Sequence, residues 1–444
     1  MKSSKLGLFD LTMIVIGLVI GMGIFRAATD SAKDALTPGI FFAGWIVGGL
    51  VALCGALTYA EIGSRHPVTG GYYKIFSYAY HPSLAFSINC IILVSNAASL
   101  SAVALIGSGY ISRVLFNQPA TDTTKVIIAI IAIVIFYGVN LMGLKMSSRT
   151  QNVLMLIKIS MVLLLIAALC FPNLYVESAP VVAPAVEHSW GDSIRSFGLC
   201  LVAISFTYGG YQQSINFGHE VKNASRNVPK GIFIGIATII VLYLAVNFSY
   251  YKLIGFEQLK TTNEIASVVA EKMFGPTGAT VFSGLLFLSV LAYVNVLLMS
   301  NPRVMYAMSD DGVLPAIFKK QTEKKEVLLT SLTVFAATCI VVLFFAKTFN
   351  EILSFTIFLD CFGMAMSAGA IFKLRKRTKH LDGTGIYSMK LYPLLPIIFI
   401  LAYTFVGISI AIDKPKTAGI GIGVLLTFMV LYFLMRKRPK QENA

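Results

Sequence analysis

The feature that most restricts this chain is the recurrence of uninterrupted apolar runs, each about the 20 residues a helix needs to cross a bilayer core of roughly 30 Å. Twelve such runs lie near residues 10–31, 37–62, 82–115, 124–143, 149–171, 194–218, 229–254, 276–308, 327–346, 350–374, 392–412 and 417–435. They are continuous, not alternating, and much longer than the roughly 10-residue strands of a membrane barrel. The expected fold class is therefore an all-α integral membrane protein of twelve transmembrane helices. A hydrophobic share of 56%, a charged share of 13% and a mean hydropathy of +0.77 agree with that expectation. Short loops leave little chain for a soluble domain. The opening residues MKSSKLGLFD lead straight into the first run without a cleavage signal, so removal of a leader is not expected.

Charge predicts the orientation. With the N-terminus inside, most of the 36 Lys and Arg fall in inside segments, among them Lys2, Lys5, Arg65, Lys74, Arg303, Arg375, Lys376, Arg377, Arg436 and Lys437. The positive-inside rule then puts both termini in the cytoplasm of a multi-pass plasma-membrane protein, the inner membrane if the source is bacterial. The net charge of +15 is explained by span-end residues and their contact with anionic membrane lipid, so no nucleic-acid partner is expected. The six cysteines, Cys54, Cys90, Cys170, Cys200, Cys339 and Cys361, sit in spans without metal-ligand spacing and read as small packing residues.

Two of the runs are interrupted. The first contains IVIGLVIGMGIFR, with glycines at 17, 21 and 23; the sixth contains FTYGGYQQ, with Gly209 and Gly210 among Thr207, Gln212 and Gln213. Glycine disfavours a helix by ~1 kcal/mol relative to Ala, and a break at membrane depth is tolerated only where it lines a cavity or is buried in protein. Five spans separate the two breaks. An odd number forces the second set of five to enter from the opposite side, which makes an inverted repeat with interruptions at matching places, the pattern of a transporter's binding site. A half-helix N-terminus offers unpaired N–H groups and positive dipole character to a carboxylate. Facing carbonyls suit an ammonium group, so an amino-acid zwitterion satisfies both. The competing reading is close helix packing through small residues such as Gly17 and Gly21.

GLVIGMGIF, GALTYAEIGSRHPVTGGYYKIF, FTYGGYQ, HEVKNASRNVPKGI and NPRVMYAMSDDGVLP together resemble the amino acid, polyamine and organocation (APC) transporters, and FTYGGYQ is most similar to the L-type amino-acid transporter branch. The resemblance covers nearly the whole chain. It implies a LeuT-like 5+5 inverted repeat with discontinuous helices 1 and 6 plus two extra helices, and alternating access. The layout is then a cytoplasmic N-terminus over 1–9, repeat 1 over 10–171, an extracellular loop over 172–193, repeat 2 over 194–374, helices 11 and 12 over 392–435, and a cytoplasmic C-terminus over 436–444. By position, the resemblance implies that Gly21, Met22 and Gly23 bind the substrate carboxylate. It gives the amine to carbonyls near Val19, Ile20, Phe206 and Thr207, makes Phe206 the aromatic lid, and leaves side-chain room at Gly209 and Gly210. Met22 departs from the small residue usual there, and Arg26 from an apolar one; both bear on specificity.

Charges within spans are costly and by default functional. Lys158 lies roughly mid-span. In the resembling family a lysine here stands where sodium-coupled relatives hold Na⁺, and span 8 offers Ser289 without an adjacent hydroxyl to complete an oxygen cage. Sodium-independent transport is expected, with exchange and proton coupling both open. Asp360 is a second gating or coupling candidate. Glu61 and Glu220 are expected in ion pairs at the inner gate. Ser95, Asn96, Tyr208, Ser289 and Asn295 are candidates for the side-chain pocket, against a reading of simple interhelical contacts. The interrupted segments themselves carry no acid, which favours neutral amino acids over cations. No catalytic motif, cofactor site or metal cluster is recognisable, and the five histidines lie near span ends or in loops. A channel, or an exporter of other small amines or organic cations, remains the alternative function. Monomer and homodimer are both open.

Overall fold

The computed structural model describes residues 5–21, 23–116, 121–176, 189–262, 265–323, 325–344 and 349–435. Among them the regular structure is helical, and β pairing is limited to two isolated bridges. The helices are α1 (Leu8–Val19), α2 (Gly23–Asp34), α3 (Pro38–Arg65), α4 (Gly71–Ala79), α5 (Pro82–Phe116), α6 (Asp122–Leu141), α7 (Leu144–Ala167) and α8 (Trp190–Tyr208). They continue with α9 (Ala224–Ile254), α10 (Phe256–Thr261), α11 (Ile265–Asp310), α12 (Leu329–Leu343), α13 (Phe349–Arg377), α14 (Leu394–Asp413) and α15 (Pro415–Met435).

Eight helices in the described residues are long and apolar enough to cross a membrane: α3, α5, α6, α7 with its following 3₁₀ turn, α9, α11, α14 and α15. Local chemistry fixes several starts. The Thr37 hydroxyl accepts from the Ile40 N–H, with Pro38 in the first turn of α3, and Thr121 does the same for Thr124 at the start of α6. In α11 the expected span start at 276 coincides with a kink, where Gly275 has φ of +71° and is followed by Pro276.

Packing depends on small residues at crossings. A Cβ on Gly48 would lie 2.4 Å from Ile204, and one on Gly44 would lie 2.9 Å from it. This GxxxG face therefore lets α3 and α8 touch more closely than a side chain would permit. Helix α1 packs between α7 and α9, while α2 packs against α8 and α10. The first apolar run is thus held by different partners on either side of residues 20–22.

Candidate substrate-binding site

Both expected interruptions are present. Helix α1 stops at Val19; the Ile20 N–H still reaches the Ile16 carbonyl at 2.7 Å, but Gly21 N–H turns back to Val19 O at 2.8 Å, and α2 restarts at Gly23. Helix α8 stops at Tyr208, and after Gly209 and Gly210 the chain continues as a 3₁₀ turn over Tyr211–Asn216. The two breaks touch. Gly210 has φ of +109°, and a Cβ there would lie 2.3 Å from the Leu18 carbonyl oxygen and 2.9 Å from its carbon. Both the backbone conformation and this contact with main chain require glycine.

A cavity of about 750 Å³ opens at this crossing. Of the predicted site residues, Val19, Gly21, Gly23, Thr207, Gly209, Gly210, Asn96 and Asp360 line it, together with Ser95. Met22 lies outside the described residues, as do the side chains of Arg26 and Phe206. The start of α2 presents N–H groups that have no carbonyl one turn back, and the ends of α1 and α8 present carbonyls. Opposite partial charges therefore converge on one space.

Lys158, fully buried on α7, donates to the Ile20 carbonyl at 2.5 Å. The resemblance gave that carbonyl to the substrate amine; in this conformation the lysine already uses it. Tyr243 of α9, absent from the sequence-derived candidates, donates weakly to Val19 O and Thr207 O at 3.4 Å each, bridging the ends of both half-helices. Nothing in its apolar sequence context marks it. Tyr293 of α11 is also new: a Cβ on Gly21 would lie 3.3 Å from its ring, and its hydroxyl pairs with Ser99 at 2.9 Å.

Three expected pocket residues sit elsewhere. Tyr208 points into an aromatic cluster with Trp45 and Tyr243, at centroid distances of 5.9 and 5.1 Å. Asn295 is consumed by a buried amide network: it accepts from Asn140 at 3.0 Å and donates to Gln151 at 2.9 Å and to Ser147 O at 3.1 Å. Ser289 is buried away from the cavity, its hydroxyl without a partner in the described structure. Periodicity could not reveal which face of α8 or α11 turns inward, because both are apolar on several sides. Gly17 serves packing: a Cβ there would lie 2.2 Å from Gln151 Nε2.

The cavity floor is polar. Asn96 donates to Asn301 at 2.7 Å and to Gln213 at 3.3 Å, and the Gly210 N–H is held by Gln212 at 2.8 Å. The other direction leads to Asp30, Lys33 and Asp34 at the end of α2 and to Lys414 beside α15. Although the breaks themselves carry no acid, acids therefore line the cavity, with Asp360 within the apolar run of α13.

The opposite end of the bundle is closed by ion pairs. Buried Glu61 accepts from Arg65 Nε at 2.6 Å, Arg375 Nε at 2.6 Å, Arg375 Nη2 at 2.7 Å and the Met389 N–H at 2.9 Å. Arg65 also reaches Asp382 at 2.7 Å, which holds that exposed carboxyl below its ordinary range. Arg303 pairs with Glu220 at 2.6 Å and stacks on Phe217 at 4.4 Å. The segment around Leu6 pairs with residues 220–222 through Leu6 N to Glu220 O and Lys222 N to Leu6 O.

Residues 6–435 match the family model described as amino acid permease. The chain belongs to this family. The permease is 28% identical over 443 residues to the serine/threonine exchanger of Bacillus subtilis (strain 168), covering 98% of this chain and 97% of that one. It is 23% identical over 447 residues to the human Asc-type amino acid transporter 1, covering 98% and 83%. It is 25% identical over 439 residues to the human large neutral amino acids transporter small subunit 2, covering 97% and 80%. These matches place the permease in the APC superfamily near the L-type branch, as a transporter and not an enzyme. Among its described residues no group of three or more His, Cys, Asp or Glu side chains could hold a metal.

Proposed function

We propose that the permease is a sodium-independent secondary transporter of neutral L-amino acids that works by alternating access. The observation that carries the reading is the meeting of two unwound helix segments at one cavity, with α2's N–H groups and the α1 and α8 carbonyls facing the same space. A carboxylate docks against the residues 21–23 segment and an ammonium against Val19 O and Thr207 O, while Gly209 and Gly210 leave room for the side chain. In this reading Phe206 closes over the substrate, and Met22 contributes its amide.

The helix order supports twelve spans arranged as a 5+5 inverted repeat with two added helices. In that layout α1 to α7 form one repeat, α8 to α13 the other, and α14 and α15 follow. The cavity mouth at Asp30, Asp34 and Lys414 is then extracellular, and the ion-paired end is cytoplasmic and closed. The conformation is outward-facing. The Lys158 ammonium, held at the Ile20 carbonyl, supplies the positive charge that a sodium ion would otherwise bring to the first break. Obligatory exchange fits an ammonium that remains engaged through the cycle, and the Bacillus relative carries the word exchanger in its name.

Purified protein in proteoliposomes tests this. Uptake of labelled alanine or threonine is expected only with internal unlabelled amino acid, and no change is expected when a sodium gradient is imposed. Sodium-driven accumulation overturns the sodium-independent reading. Uptake into empty vesicles driven by an inward proton gradient replaces exchange with proton coupling. Conductance far above a transporter's turnover identifies a channel.

A further inference from the structure

We infer that Asp360 is the specificity-determining residue of this cavity: its carboxylate accepts from a hydroxyl or amide group at the end of a neutral substrate's side chain. The inference rests on the amino-acid reading above and adds which amino acids the cavity selects.

Three observations lead to it. Asp360 lines the same cavity as Gly21, Gly23 and Thr207, so a molecule docked at the helix breaks shares its space. No described residue gives its carboxylate a hydrogen bond or an ion pair, and its neighbours on α13, Phe358, Leu359 and Phe362, are apolar. The carboxylates at the closed end of the bundle have partners: Glu61 takes two arginines and a backbone N–H, and Glu220 takes Arg303. A carboxylate within a membrane span is costly unless paired. Since the described residues supply no partner here, the partner arrives with the cargo.

The wall near the break carries a polar group. Tyr293 reaches from Gly21 to Ser99, ending in their 2.9 Å hydroxyl pair, so a hydrogen-bonding step lies between the backbone site and the rest of the cavity. An aliphatic side chain lying there leaves the carboxylate unpaired. A site whose polar groups are left unpaired rejects such an analogue strongly.

The test compares shape-matched pairs as competitors of alanine exchange in proteoliposomes: threonine against valine, serine against 2-aminobutyrate, and asparagine against leucine. In the wild type the donor-bearing member of each pair is expected to compete about tenfold better or more. Asp360→Asn, close in size and checked for monodispersity, should reduce the advantage of threonine, serine and asparagine, because an amide oxygen accepts more weakly than a carboxylate. Asp360→Ala should bring all three ratios to about one; where that variant does not fold, Asp360→Asn carries the comparison. Ratios near one in the wild type, or ratios unchanged in the variants, overturn the proposal and leave a proton as the carboxylate's partner. Failure to exchange any amino acid at all sinks the transport reading instead, so the two failures are distinguishable.

Discussion

Gly210 shows how one residue type can be dictated twice. Its φ of +109° disfavours any side chain, by about 1–2 kcal/mol in left-handed backbone, and a Cβ would also strike the Leu18 carbonyl. Gly210→Ala is therefore expected to cut exchange by roughly tenfold or more and to lower the midpoint of thermal unfolding in detergent; wild-type values for both would show that the breaks do not meet here. Lys158 is read differently. Its charge was visible in the sequence as an anomaly, but its partner, the Ile20 carbonyl, lies 138 positions away in the chain and emerged only with the fold. Lys158→Ala removes that carbonyl's donor, a loss of about 1–3 kcal/mol for a buried polar group. The expected result is a KM for exchange raised about tenfold. An unchanged KM would assign Lys158 to packing alone.

At the scale of elements, the closed end is a knot between α3, α13 and the segment around Met389, with Glu61 at its centre. Breaking a buried ion pair by neutralising one partner costs about 3–5 kcal/mol. Glu61→Gln should accordingly favour opening of this end, so that a cysteine introduced at Leu297 in the cavity gains maleimide reactivity from that side; unaltered reactivity would mean that other contacts hold the end shut. His66, which ends α3 beside this knot, carries a pH dependence. Burial, and secondarily the Lys74 charge, lowers its pKa from 6.5. The folded protein thus takes up the proton less readily than the unfolded chain, and stability is lost as pH falls below about 6.5 toward the folded value. Unfolding midpoints measured from pH 8 to pH 5 should fall, and His66→Gln should flatten part of that slope.

Across the whole molecule, the division into an open mouth and a locked end makes a statement about orientation. In a background without native cysteines, Lys414→Cys is expected to react with an impermeant maleimide added outside intact cells. Lys379→Cys is expected to react only after permeabilisation. The reverse pattern would place the open mouth in the cytoplasm. The sequence by itself determined that the chain is a helical membrane protein and that its first and sixth apolar runs are interrupted, because continuous apolar length and glycine placement are local properties that need no partner to be read. It also marked Lys158, Asp360, Glu61 and Glu220, since charges in an apolar run stand out individually. Only the tertiary structure decided that Tyr208, Ser289 and Asn295 face away from the cavity, that Tyr293 lines it while Tyr243 bonds the Val19 and Thr207 carbonyls, and that Asp360 has no partner among the described residues while Glu61 has several. In a bundle whose helices are apolar on most sides, a polar residue's direction is set by which neighbour it meets, and that depends on the crossing of helices far apart in the chain.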